Sequence, residues 1–418
     1  MNLYTLTSDL HGEMSLNARE ERFIQDIEKA LGSEFCHKGQ HYEDYGHGDD
    51  VIYVRTGGTE GSFKAVFAED GSPRIPGGKT VRLLTSGQSN SLAASMEILS
   101  YLHQHDIPGQ IVHGSADEIV RALKESTATT SGSLRKKLRK NRLLEGKKMG
   151  IIGNPSDWLI SSDVDPAKAR EMLGVELIDI EMSELLREIE TVSGEEIQAA
   201  IGKARLKDLN TAKYGKPISA ESFSKSIAVY SALRKIADRY GLSGLTIRCF
   251  DLLGTIGNTG CMALAILNSE GIVGTCEGDV PAMLSMAVAK AATTRSSFQV
   301  NLSKAEGDRL LFAHCTVPLD IIDDYCYDTH FESGIGVAVH GEFAPGAATI
   351  IKIGSELGEC VIEDVEIEKN QYENNLCRTQ IIVKAKGLRD YMLTEPLGNH
   401  HVIIPGHHTE ELVKAITH

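Results

Sequence analysis

The chain has 418 residues, enough for two or three domains that each bury a core. Apolar residues make up 41% and charged residues 24%, the balance of a soluble globular protein. With 43 basic and 58 acidic residues the net charge is −15, which argues against a general binder of nucleic acid or anionic membrane and fits a cytoplasmic enzyme.

The start, Met1-Asn-Leu-Tyr-Thr-Leu-Thr-Ser-Asp9, has no basic region followed by an apolar stretch, so no signal peptide is expected. Short β-branched strands are predicted at 51–54, 81–85 and 110–113. The first two run into the turns Thr56-Gly-Gly-Thr-Glu60 and Ser86-Gly-Gln-Ser-Asn-Ser91, and helical patterns cover 92–103 and 116–124. Strand, small-residue turn and helix in repetition predict parallel βαβ units. A polar, small-residue break at 126–133 follows. Next comes the basic stretch 134–148, read as a solvated helix joining two domains, with a patch for an anionic ligand as the alternative.

The alternation resumes with the strand-turn Met149-Gly-Ile-Ile-Gly153. A strand at 175–178, helices at 182–191, 195–207 and 221–240, and an apolar strand at 245–250 come next. An apolar helix at 261–268 precedes the segment Gly271-Ile-Val-Gly-Thr-Cys276, and a further helix runs over 281–292. From residue 298 onward, short strands at 298–302, 310–317, 337–340, 348–353, 360–367 and 379–384 are separated by Gly- and Asn-rich turns, which predicts an antiparallel sheet or small barrel. The expected fold class is α/β: two Rossmann-like parallel α/β domains, 1–148 and 149–292, followed by a β-rich, barrel-like domain, 293–418. The eight cysteines contain no CxxC pair and read as free thiols in a reducing compartment.

Two stretches carry ligand chemistry. Gly274-Thr-Cys-Glu-Gly-Asp-Val280 places Glu277 and Asp279 at the end of an apolar segment, where open α/β sheets hold ligands. Asp279 is either catalytic or the cap of the following helix. Gly398-Asn-His-His401 presents paired imidazoles in a Gly-bounded turn, and His407 and His408 follow. Carboxylate and imidazole together suit a divalent metal. His314, in an apolar strand, is a ligand or a core histidine; Trp158, the single tryptophan, is a substrate platform or core. The glycine-rich turns at 57–60 and 254–260 lack a dinucleotide or P-loop pattern.

The order of Gly153-Asn-Pro-Ser-Asp157, Ile247-Arg-Cys-Phe250, Cys261-Met-Ala-Leu-Ala265, Cys276-Glu-Gly-Asp279, Ala313-His-Cys315 and Gly398-Asn-His-His401 resembles that of the L-fucose isomerase and L-arabinose isomerase superfamily. The resemblance runs over most of 149–418 and is weaker before it. It implies an Mn²⁺-dependent aldose–ketose isomerase working through an enediol, assembled as a homotrimer or homohexamer. It implies Glu277, His314 and His401 as metal ligands, Glu277 as base and Asp279 as support. Arg248, Asn301 and Trp158 are the expected substrate contacts. One position departs from the family: where a second acid is expected, the chain has Asn301, which cannot act as a carboxylate base. That opens two alternatives, a different reaction on a modified sugar (acidic or sulfonated), or a non-catalytic sugar binder.

Overall fold

The computed structural model describes residues 1–8, 17–69, 72–125, 134–209 and 217–417. The break at 126–133 lies outside the described residues. Three large sheets organise the chain. The first has five parallel strands in the order Cys36–Gly39, Asn2–Leu6, Asp50–Val54, Val81–Thr85, Gly109–Val112. The second has four parallel strands in the order Glu176–Ile180, Lys148–Ile152, Gly244–Ile247, Val273–Thr275. Strands such as Asp50–Val54 and Gly244–Ile247 are buried along their whole length, as expected of parallel strands covered on both faces.

The third sheet is antiparallel and closes on itself. Six strands run in the order Gly346–Ile353, His401–Pro405, Phe298–Glu306, Arg309–His314, Thr379–Lys384, Glu359–Asn370, and pairing of the last with the first completes the ring. Closure removes the exposed edges that an open antiparallel sheet would present.

The basic stretch after residue 134 corrects the sequence reading. It is not a free helix. Lys136–Lys137 forms a short strand against Glu359 and Cys360 on the barrel. Arg135 pairs with Glu359 at 2.9 Å and Lys136 with Glu363 at 2.9 Å on the barrel, while Lys140 pairs with Glu171 and Arg142 with Glu145.

Two helices join the sheets. Ser91–Gln104 is buried on all sides from Ser91 to Leu102 and packs against the barrel strand Phe298–Glu306. Val280–Thr293 leaves the second sheet and packs on the barrel strand Gly346–Ile353. All eight cysteines are free and all but Cys36 are buried.

Candidate metal centre

Glu277 follows the strand Val273–Thr275 in a tight turn. Its φ of 68° is left-handed, a conformation that costs a non-glycine residue about 1–2 kcal/mol. Neighbouring chain holds it there. The Glu277 carbonyl accepts the N–H of Ser156 at 2.9 Å, and the N–H of Gly278 donates to Ile247 at 2.9 Å. Gly278 has φ 73°, and a Cβ there would meet Pro155 Cα at 2.6 Å, so the turn requires glycine.

The barrel supplies the imidazoles. His314 ends the strand Arg309–His314, and His400 immediately precedes the strand His401–Pro405. Both strands pair with Phe298–Glu306, with Asn301 opposite Ala313 and Val300 opposite His401. This register brings His314, Asn301 and His400 to the same part of the barrel. One ligand atom each from Glu277, His314 and His400 lie within 4.8 Å of one another.

Each of the three is oriented from behind. Glu277 Oε2 accepts the indole N–H of Trp158 at 2.6 Å, leaving Oε1 3.5 Å from His400 Nε2. Nδ1–H of His400 donates to Asp279 Oδ2 at 2.8 Å, while Asp279 Oδ1 accepts the N–H of Ala282 at 2.6 Å. Asp279 is therefore both the helix cap and the orienter of an imidazole, the arrangement that fixes a metal-binding histidine's tautomer. His314 pairs through Nδ1 with the Thr316 hydroxyl at 2.9 Å.

The electrostatics follow from this packing. Burial pushes the Asp279 carboxyl up, but Lys352 and His400 hold it at about 2. Burial likewise opposes a charge on His400, yet Glu277 and Asp279 raise it to about 10. Burial and the neighbouring His400 lower His314 to about 4. Among the described residues, His400 Nε2 is buried and has no hydrogen-bond partner. An orphaned imidazole nitrogen facing a carboxylate and a second imidazole fits a divalent ion with nitrogen and oxygen ligands.

His401, which the sequence reading selected, is turned away from this cluster. Its Nδ1–H donates to the Asn399 carbonyl at 2.9 Å, and Nε2 accepts the Tyr391 hydroxyl at 3.0 Å. Successive residues entering a strand point to opposite sides, so one histidine of the pair joins the cluster and the other is locked in the core. Arg248 is also placed elsewhere: it clamps Asp157 at 2.8 Å, Asp251 at 3.1 Å and the Pro155 carbonyl at 2.7 Å, and so steadies the loop bearing Trp158. His407 and His408 pair with Glu366 and Glu411 outside the cluster.

A narrow pocket opens beside the cluster. Trp158, Phe250, Glu277 and Asn301 line it together with Glu60, Asn90, Glu332 and Asn399. Trp158 and Phe250 meet edge to face with ring centroids 4.8 Å apart. Sequence reading missed Glu332, in the turn after the strand Asp324–Asp328, and Glu97, on the buried helix. Glu97 accepts the N–H groups of Ser161 at 2.7 Å and Asn399 at 2.9 Å, and the Ser162 hydroxyl at 3.0 Å. The lone acid amid the apolar run of 92–102 was the available signal for Glu97; nothing local marked Glu332.

Fold and site thus define an α/β protein with an antiparallel barrel and a candidate three-residue metal site. Its distant relatives are named for a sugar isomerase. The chain is 22% identical over 288 residues to the sulfoquinovose isomerase of Priestia aryabhattai, covering 66% of this chain and 59% of that one. It is 23% identical over 233 residues to the sulfoquinovose isomerase of Alkalicoccus urumqiensis, covering 54% of this chain and 50% of that one. The chain therefore spans between half and three fifths of the length of the curated relatives it matches. No family model matches it.

Proposed function

We propose that the chain is a divalent-metal-dependent aldose–ketose isomerase, built from two Rossmann-like units and a barrel and related to the L-fucose and L-arabinose isomerases. The convergence of Glu277, His314 and His400 beside a pocket walled by Trp158, Phe250 and polar acceptors carries this reading. The distant likeness to sugar isomerases supports it. Mn²⁺ is the ion proposed, in a cytoplasmic homotrimer or homohexamer.

An ion held by Glu277, His314 and His400 would supply Lewis acidity, making the hydrogen beside a sugar carbonyl acidic. Asp279 keeps His400 in one tautomer with Nε2 toward the site. Trp158 fixes the Glu277 carboxylate and, with Phe250, walls the cavity. Four lining residues each carry a buried oxygen with no hydrogen-bond partner among the described residues: Glu60 Oε2, Asn90 Oδ1, Asn301 Oδ1 and Asn399 Oδ1. Acceptors of this kind suit the O–H donors of a polyol.

The relatives' names favour a second reading, a sulfonated sugar. The cavity favours an uncharged one. Three of its lining residues are glutamates, and among the described residues that line it none is lysine or arginine. A sulfonate offers no donor to the four free acceptors and meets like charge.

The test is an aldose panel, with sulfonated and uncharged members, incubated with protein carrying Mn²⁺ and with protein stripped by chelator. Metal-dependent ketose formation is expected, with the uncharged sugars preferred. A protein that binds no divalent ion and converts no member of the panel defeats the isomerase reading.

A further inference from the structure

Isomerisation moves a proton from one carbon to its neighbour, and a carboxylate is the usual carrier. Glu277 is poorly placed to do this alone, because one of its oxygens is tied to the Trp158 indole and the other faces His400. Asn301, lying where a second acid is expected, has no proton to give or carboxylate to accept one. The cavity nevertheless contains another carboxyl group at its wall.

We infer that Glu332, presented by the turn between the paired strands Asp324–Asp328 and Ala338–Glu342 and held by Asn90, is the acid–base residue that carries the proton between the two carbons. This rests on the isomerase reading above. Asn90 Nδ2 donates to Glu332 Oε1 at 2.8 Å from the mouth of the buried helix in the N-terminal unit. The bond ties two segments 242 residues apart across the cavity and engages Oε1 of Glu332, with no partner for Oε2 among the described residues. His330, two residues before, packs edge to face on Phe250 at 5.4 Å, and Phe250 packs on Trp158, so the turn is seated on the wall that orients Glu277. Glu60, the other cavity carboxyl, is only 2% exposed and is deeper than Glu332. Burial and the charge of Glu277 raise Glu332 to about 7, which suits a group that both accepts and returns a proton near neutrality.

The step balances within the sugar. Glu332 takes the hydrogen on C2 as a proton, and the C2–H electron pair becomes the C1–C2 double bond as the carbonyl pair moves onto O1. Glu332 then returns that proton to C1, while the O2 hydroxyl proton passes to O1. C2 is oxidised and C1 reduced, with no external oxidant or reductant. The free oxygen of Asn301 serves as acceptor for a sugar hydroxyl.

The experiment compares wild type, Glu332→Gln and Glu332→Asp, each loaded with Mn²⁺, on the aldose most active in the panel. Exchange of the C2 hydrogen with deuterated solvent is followed beside ketose formation, with Mn²⁺ affinity and thermal unfolding as controls. Glu332→Gln is expected to lose both exchange and turnover by about 10²–10⁴-fold with Mn²⁺ affinity and melting temperature unchanged, and Glu332→Asp to recover part of the loss. A Glu332→Gln protein within twofold of wild type overturns this assignment and leaves the isomerase reading standing. A loss of activity that follows a loss of Mn²⁺ or of folding assigns Glu332 to structure and overturns it too. A wild type that neither exchanges nor isomerises any aldose overturns both readings.

Discussion

Glu97 accepts the backbone N–H of Asn399 at 2.9 Å across 302 positions of sequence. The same carboxylate holds Ser161 and Ser162, so one buried acid sets the loop near Trp158 and the turn that ends in His400. Replacing it by alanine leaves three donors without an acceptor. Glu97→Ala is expected to destabilise the fold by about 3–5 kcal/mol and weaken metal binding by about 10–100-fold. Denaturant unfolding and isothermal titration with Mn²⁺ measure the two effects. An unchanged Mn²⁺ affinity would show that the turn keeps its place without Glu97.

The paired histidines give a direct discrimination. His400→Asn is expected to abolish Mn²⁺ binding while the fold persists. His401→Phe is expected to retain binding but lose about 1–3 kcal/mol, because the buried Tyr391 hydroxyl loses the nitrogen it donates to. The reverse pattern, with binding lost only at His401, would restore the sequence-based choice.

Asp279→Asn removes the charge that fixes the His400 tautomer while keeping a group able to cap the helix. A fall of about 10–100-fold in metal affinity is expected, with a melting temperature closer to wild type than that of Asp279→Ala. Equal melting temperatures for the two variants would deny the cap its contribution.

Gly278→Ala tests the turn that carries Glu277. The added methyl meets the Pro155 backbone at 2.6 Å and the position has φ 73°. Glu277 is expected to be displaced, with Mn²⁺ binding lost and the Trp158 fluorescence altered. A variant that binds Mn²⁺ as wild type does would mean the Pro155 loop yields.

Stability at mildly acid pH depends in part on His113. Its Nδ1–H faces the Thr85 carbonyl at 3.3 Å and its Nε2 accepts the N–H of Ala305 at 3.1 Å, which requires the neutral ring. Burial lowers its pKa to about 4. The unfolded chain protonates near the ordinary value of about 6.5, so this contribution is complete above that pH and is lost as pH falls toward 4. The full effect is about 3 kcal/mol. His113→Gln, whose amide oxygen can still accept from Ala305, is expected to flatten the fall in melting temperature between pH 6.5 and 4. Parallel curves for variant and wild type would refute the assignment.

Much of the fold was legible because its signals are local. Alternation of β-branched residues marked five of the six barrel strands, and the small-residue turns marked the parallel units. The strands Asn2–Leu6, Cys36–Gly39, Asp324–Asp328 and His401–Pro405 escaped, the first three because polar residues interrupt short segments and the last because it starts in the paired histidines and ends in a proline. At the site, Glu277 and His314 were legible from the segments that end in them. His400 was not distinguishable from His401, since the choice depends on strand phase, which is set by pairing with Phe298–Glu306. Glu97 and Glu332 come from other parts of the chain, and no spacing relates them to Glu277.

The barrel strand next to His400 lies between Phe298–Glu306 and Gly346–Ile353. An ion that arrives before this strand inserts would meet at most Glu277 and His314. Complete capture therefore has to wait for a contact that is remote in sequence, the slow class of folding event. If the proposed ligand set holds Mn²⁺, the rate of tight Mn²⁺ uptake during refolding is expected to follow insertion of this strand rather than diffusion of the ion.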